Sequence, residues 1–144
     1  MRTLKWQRVG TTVLVVHARL LPDPVEWNAF IRDCSEMGGI AARGLVFAEV
    51  TLNAEQRRQI QAVHRVTGTR AVAVITSSLL TRVLVTTMNW MRNNHRAFAP
   101  NDIVAAFDFL RVNEPERHEL LALALQFARE LNLSQLAHTL TVQQ

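Results

Sequence analysis

Short apolar runs alternate with amphipathic segments along most of the chain. The runs are rich in β-branched residues, have the length of strands and are bounded by glycine or polar residues. The run at 71–75 does not alternate with polar positions, which is typical of a strand covered on both faces. The pattern predicts strands at 6–8, 12–17, 44–50, 71–75 and 95–98, the first two forming a hairpin across Gly10.

Helix-start signals follow several of these strands. Asp23 precedes Pro24 and is followed three residues later by Glu26, and Asn53 is followed in the same way by Gln56. The third predicted helix, capped by Ser77 or Ser78, places Leu80, Val83 and Leu84 on one side. The helices are predicted at 24–37, 54–67, 78–91, 100–111 and 115–131, with a short one behind Ser134.

This alternation of strands and helices predicts an α/β fold with right-handed crossovers. We expect residues 1–112 to form one α/β domain and residues 113–144 to form a C-terminal helical extension. The apolar residues of the extension cover more than one side of a helix, so residues 115–141 are predicted either to dimerise or cover a partner groove, or to pack on their own sheet. These apolar residues are Leu120, Leu121, Leu123, Leu125, Phe127 and Leu131.

Several short motifs of the sequence resemble those of one protein family. They are Glu55-Gln56-Arg57, the stretch 71–78 leading into Arg82-Val83, Asn89-Trp90 with Arg96-Ala97-Phe98, and Pro100-Asn101-Asp102. Together with the order of elements over residues 4–112, they resemble the STAS domain, and in particular the single-domain bacterial proteins similar to anti-sigma factor antagonists. The resemblance implies a mixed β-sheet flanked by helices and a non-catalytic regulatory module that docks a protein partner through the helix after the third strand.

Carried onto this chain, the resemblance assigns a docking helix and a switch residue. The hydroxyl near the end of the third strand is Thr51, a possible phosphorylation site, although the acidic residue that usually precedes the family's phosphorylated serine is missing before it. The alternative is that Thr51 and Asn53 only cap the helix. The partner-binding residues implied are Asn53, Arg57, Arg58, Gln61 and Arg65, whose arginines would contact acidic groups.

A second hypothesis, taken from the residues themselves, is a sensor or carrier of a small molecule or anion. Ser77, Ser78 and Arg82 combine hydroxyls, the unpaired N–H groups of a helix start and a guanidinium one turn later, which suits a phosphate or carboxylate. The alternative is that Ser78 caps the helix and Arg82 forms a surface ion pair. A pocket beside the third helix would favour the ligand-binding hypothesis.

Composition narrows the function classes further. The 144 residues suit one domain, and 16 basic against 12 acidic residues give a net charge of +4 that is scattered along the chain, so we expect no nucleic-acid partner. The five histidines lack metal-ligand spacing, and no catalytic or phosphate-binding motif is present, which predicts no metal, no cofactor and no enzymatic activity. Cys34 is the single cysteine, and no segment has the length and hydropathy of a membrane span, so we expect a cytoplasmic protein.

Overall fold

Five strands form one sheet, in the order in which they occur along the chain. The computed structural model describes residues 2–88 and 94–143, without the side chains at 79, 84 and 86–88. The part of the third predicted helix beyond residue 88 and the Asn89-Trp90 motif lie outside the described residues. The strands are β1 (Leu4–Val9), β2 (Thr12–His17), β3 (Arg43–Phe47), β4 (Ala71–Ile75) and β5 (Asn94–Phe98).

Six α-helices accompany these strands in the described part of the chain. None of them is long and apolar enough to cross a membrane. Their bounds are α1 (Pro24–Met37), α2 (Ala54–Thr67), α3 (Leu79–Met88), α4 (Ile103–Leu110), α5 (Glu116–Glu130) and α6 (Ser134–Val142).

The sheet is mixed, because β1 runs antiparallel to β2 whereas β2 to β5 are parallel. One helix joins each parallel pair of strands, and each new strand is added at the same edge of the sheet. Because such crossovers have the same hand, α1, α2 and α3 all lie on one face of the sheet. The remaining helices, α4 to α6, lie on the opposite face. The predicted α/β class, with a mixed sheet flanked by helices, is confirmed.

Local side-chain chemistry fixes the starts of α1 and α2. Asp23 caps α1 by accepting hydrogen bonds from the backbone N–H groups of Val25 and Glu26. Asn53 and Gln56 form a complete capping box at α2, each side chain accepting from the other residue's backbone N–H. Glu26 has a different role from the one its spacing suggests, because its carboxylate accepts from the N–H and the hydroxyl of Thr3 and ties α1 to β1.

One face of the sheet, which we call the packed face, forms a single continuous core with α4, α5 and α6. Large side chains of the strands dominate it, and Leu14, Leu45 and Phe47 are at most 2% exposed. Residues of α4 such as Ile103 and Phe107 are equally buried against them. The packed face is therefore filled by side chains.

The C-terminal helices belong to this same core. Leu120, Ala124 and Ala128 of α5 and Leu140 of α6 are fully buried in the cluster that contains the strand residues. The segment predicted to dimerise or cover a partner groove thus packs its apolar side on its own sheet. The boundary expected at 112 does not separate two cores, and the C-terminal helices form one wall of the core.

Candidate functional site

The opposite face of the sheet, which we call the pocket face, is built from rows of small side chains. Strand register places Val13, Gly44, Val72 and His95 side by side in one row. A second row holds Val15, Val46, Val74 and Ala97, and His17 follows two residues beyond Val15 at the end of β2. Apart from His17 and His95, the strand positions named on this face are therefore occupied by valine, alanine and glycine, and they alternate with the residues of the packed face.

Small side chains leave space under the helices that cover this face. The buried apolar residues there fall into two separate clusters, one with α1 and α2 and the other with α3. Val46, at the centre of the sheet, is the partly buried residue that contacts both clusters. The packing on this side is divided, in contrast to the continuous core on the other side.

The space between the clusters is a pocket of about 130 Å³. Its roof contains the aromatic pair Trp27 and Phe30 of α1, whose ring centroids lie 5.4 Å apart. Ile60 and Val63 of α2 and Val85 of α3 complete the apolar lining. A pocket of this size is close to the engineered cavity of about 150 Å³ that takes up benzene in another protein.

A few polar side chains interrupt this apolar lining. The rings of His64 on α2 and His95 on β5 are 5.3 Å apart between centroids. Burial, and secondarily the neighbouring His95, lowers the pKa of His64 to about 3. Thr51 and Thr81 share a hydrogen bond of 3.2 Å between their hydroxyls at another part of the lining. The lowered pKa leaves His64 uncharged at neutral pH, so its ring adds polarity to the pocket without adding charge.

His17 is the most isolated of the polar residues lining the pocket. The residue is 5% exposed, and its Nδ1 atom is buried without a hydrogen-bond partner in the part of the chain that the structure describes. Desolvation lowers the pKa of His17 to about 4. Its ring is therefore neutral at pH 7 and retains an unused hydrogen-bonding position.

Cys34 lines the pocket from α1 and is buried. Burial, with a smaller contribution from Asp33, raises the pKa of its thiol to about 12. The side chain is thus a thiol and not a thiolate at neutral pH, which makes it a poor nucleophile and a small apolar part of the wall. Groups of three or more His, Cys, Asp or Glu that could hold a metal are not found among the described residues.

The predicted docking residues divide between the two sides of α2. Asn53 forms the capping box, Arg57 lines the pocket and donates to the carbonyl of Leu52, and Gln61 is half-buried. Arg58 and Arg65 are exposed, and Arg58 pairs with Glu55 on the same helix. Two of the three predicted docking arginines therefore lie on an accessible surface, whereas Arg57 is bonded within the fold.

Thr51, the predicted phosphorylation site, lies in the loop between β3 and α2. Its hydroxyl is half-buried and bonded to Thr81 at the pocket lining. Asn53, and not Thr51, caps α2. Phosphorylation of Thr51 stays a prediction, and it would require this hydroxyl to leave its partner.

The predicted anion site at the start of α3 is occupied by the chain's own groups. Ser77 donates its N–H (3.1 Å) and its hydroxyl to the carboxylate of Glu49. Ser78 caps the helix by accepting from the N–H of Thr81, and Arg82 donates through two nitrogens to the carbonyl of Thr76. A free anion would have to displace Glu49, so the capping alternative describes Ser78.

The sequence hypothesis of a ligand pocket beside the third helix named Ser77, Ser78 and Arg82 and did not include the residues that line the pocket in the structure, among them three histidines. His17, His64 and His95 were considered only as metal ligands, for which their spacing is unsuitable. A partial signal is present in β2 and β3, where Val13 and Gly44 precede the larger Leu14 and Leu45, whereas Val72 in β4 lies between two alanines. Only the register reveals that Val13, Gly44 and Val72 are neighbours.

Comparison of the chain with protein families, with curated proteins and with solved structures finds no match. The assignment of a function therefore depends on the pocket and the surfaces described above.

Proposed function

We propose that this protein is a non-catalytic module that binds a small apolar molecule in the pocket between the sheet and α1, α2 and α3. The observation that carries the proposal is the pocket of about 130 Å³ under the crossover helices, in whose lining apolar side chains outnumber polar ones. This pocket supports the hypothesis of a small-molecule sensor or carrier. The ligand would lie between the sheet and the helices and not at the start of α3, where the sequence placed it.

An unfilled apolar pocket costs stability, since its walls lack contacts that close packing would supply. Deleting buried methyl groups in other proteins costs about 24 cal/mol for each Å³ of cavity that remains. An apolar ligand recovers such contacts without requiring new polar partners. Ligand binding would therefore stabilise the pocket face, whereas the packed face is already filled by side chains.

Neutral side chains in the pocket support a binding role over a catalytic one. His17 and His64 have lowered pKa values and Cys34 has a raised pKa. General acids and bases work best with a pKa near the operating pH, and a nucleophilic cysteine needs a lowered pKa. These three groups are shifted away from both conditions.

The proposal is tested by ¹⁹F NMR with fluorobenzene as the probe. We expect the fluorine signal to shift and broaden with the wild-type protein, because the ring fits the pocket. Val46→Phe places a ring at the centre of the pocket floor and should abolish the effect. Gly44→Val is a smaller filling variant, since a Cβ atom at Gly44 meets the Val72 methyl groups at 3.4 Å.

Val104→Phe is the matched control. It makes the same substitution at a position that is 60% exposed on α4, in the opposite helix layer, and it should retain probe binding. Thermal unfolding of each variant establishes that it is folded. Absence of probe binding to the wild type, or equal binding by a folded Val46→Phe protein, would overturn the proposal.

A second candidate function is protein docking through the outer side of α2, as the STAS resemblance implies. The observation in its favour is that Arg58, Arg65 and Val66 are exposed together on this helix, Val66 to 75%. The opposite side of the same helix lines the pocket with Ile60 and Val63. An acidic partner with an apolar contact residue would match such a surface.

The docking function is tested by affinity capture from native lysate with a charge-reversed bait. Arg58→Glu/Arg65→Glu should lose an acidic protein that the wild type retains. Arg19→Glu/Arg129→Glu makes the same charge change at two exposed positions outside α2 and should retain it. If both baits lose the same proteins, the effect is one of net charge and α2 is not the docking element.

A further inference from the structure

This inference rests on the proposed function and concerns the chemistry of the ligand. An apolar pocket alone selects for size and shape, whereas a polar group on the ligand needs a specific partner in the wall. Most polar side chains of the pocket lining already have hydrogen-bond partners within the fold. Thr51 and Thr81 bond to each other, and the Arg57 guanidinium donates to a backbone carbonyl.

His17 differs from these residues because its ring has an unmet hydrogen-bonding requirement. Nδ1 is buried and has no partner among the described residues. A buried polar atom that lacks a hydrogen bond destabilises the folded state, because it has lost its bonds to water without gaining others. Such an atom at a pocket wall is explained if a bound molecule supplies the bond.

The position of His17 directs its ring to the pocket face. Side chains alternate along a strand, so His17 points to the same side as Val13 and Val15, which form the pocket floor. The residue also borders a smaller pocket of about 90 Å³ at the ends of the strands, whose lining includes Arg19 and Glu49. The apolar pocket is the one that lies on the ring's own side of the sheet.

The chemistry of a neutral imidazole then limits the group that can bind it. One ring nitrogen donates a hydrogen bond and the other accepts one, and which of them is Nδ1 depends on the tautomer. A hydroxyl group satisfies either tautomer because it donates and accepts. A carboxylate only accepts and an ammonium only donates, and burying either charge is costly. The two arginines that line the pocket already donate within the fold, Arg43 to the Thr11 hydroxyl and Arg57 to the Leu52 carbonyl.

We propose that the pocket binds a neutral molecule with a single ring and one hydroxyl group, whose ring lies between the valine rows and the Trp27–Phe30 pair and whose hydroxyl bonds to the His17 ring. Aromatic side chains in the roof favour a ring over a linear chain, through edge and stacked contacts. The ligand class is thus that of phenols and small cyclic alcohols.

The test compares three probes of nearly equal size by ¹⁹F NMR titration: fluorobenzene, 4-fluorophenol and 4-fluorobenzoate. With the wild-type protein we expect 4-fluorophenol to bind about fivefold more tightly than fluorobenzene, as one net hydrogen bond to a buried partner provides. We expect 4-fluorobenzoate to bind more weakly than either, because its charge would be buried.

His17→Phe keeps a ring of similar size and removes both nitrogens, so the ratio of the two affinities should fall to about one. His138→Phe makes the same substitution at an exposed position on α6 and should keep the wild-type ratio. Failure of all probes to bind the wild type contradicts the proposed function itself. Three other outcomes overturn this inference alone. They are equally tight binding of fluorobenzene and 4-fluorophenol by the wild type, a preference for 4-fluorophenol that persists in His17→Phe, and tightest binding of 4-fluorobenzoate by the wild type.

Discussion

The buried histidines His17 and His64 make the stability of the fold depend on pH. His17 and His64 are neutral in the folded protein because protonation would place a charge where solvent cannot reach it. In the unfolded chain each ring has its ordinary pKa of 6.5. Each histidine therefore binds a proton more readily after unfolding, and acid favours the unfolded state.

The pH dependence follows from the sign of this difference. The contribution of His17 to stability is fully present above pH 6.5 and is lost as the pH falls toward its folded-state pKa of about 4. We expect the free energy of unfolding, measured by urea denaturation from pH 7.5 to 4.5, to fall below pH 6.5. His17→Phe should make this fall shallower by about 1.4 kcal/mol per pH unit.

The exposed His138 supplies the comparison for this measurement, since His138→Phe removes an imidazole without opening the core. Its slope between pH 6.5 and 4.5 is the reference with which the slope of His17→Phe is compared. A slope for His17→Phe that equals that of the wild type would show that His17 does not titrate as its burial requires.

At the scale of elements, helix starts were the most predictable feature, because their signals are local. The Asn53 and Gln56 side chains need only a spacing of three residues to form the capping box that the structure contains. Asp23 likewise caps α1. Glu26 satisfied the same spacing but bonds to Thr3, 23 residues away, a partner that only the tertiary structure provides.

The orientation of α3 could not be predicted in this way. Its sequence is apolar on more than one side, so periodicity does not determine which side is buried. Leu80 and Val83, placed on one side by the pattern, are 64% and 62% exposed. Thr81 and Val85 face the sheet instead and line the pocket.

The residues that line the pocket could not be predicted from the sequence, because the lining depends on strand register. The valines two residues apart in β2 and in β4 are typical of strands. Considered separately, neither they nor Gly44 in β3 indicate a pocket. The parallel pairing of Gly44 with Val13 and with Val72 brings small side chains together across three strands. A shift of one residue in this register would exchange the two faces and close the pocket.

At the scale of the whole molecule, the two faces of the sheet differ in the quality of their packing. The packed face buries Phe47, Ile75 and Phe107 in one continuous cluster. The pocket face carries two smaller clusters with the pocket between them. The packed face can thus maintain the fold while the pocket face gives up close packing at the proposed binding site, a trade-off common in functional regions.

The same comparison predicts the effect of removing the C-terminal helices. A fragment that ends at Val112 lacks α5, whose Leu120, Ala124 and Ala128 are 0% exposed in the core of the packed face. We expect this fragment to lose cooperative thermal unfolding, measured by circular dichroism, because the sheet would expose its largest apolar side chains. Leu120→Ala in the full chain should lower stability by about 3 kcal/mol and keep the transition cooperative. A fragment that unfolds cooperatively at the temperature of the full chain would instead make residues 113–144 dispensable for the fold and contradict this prediction.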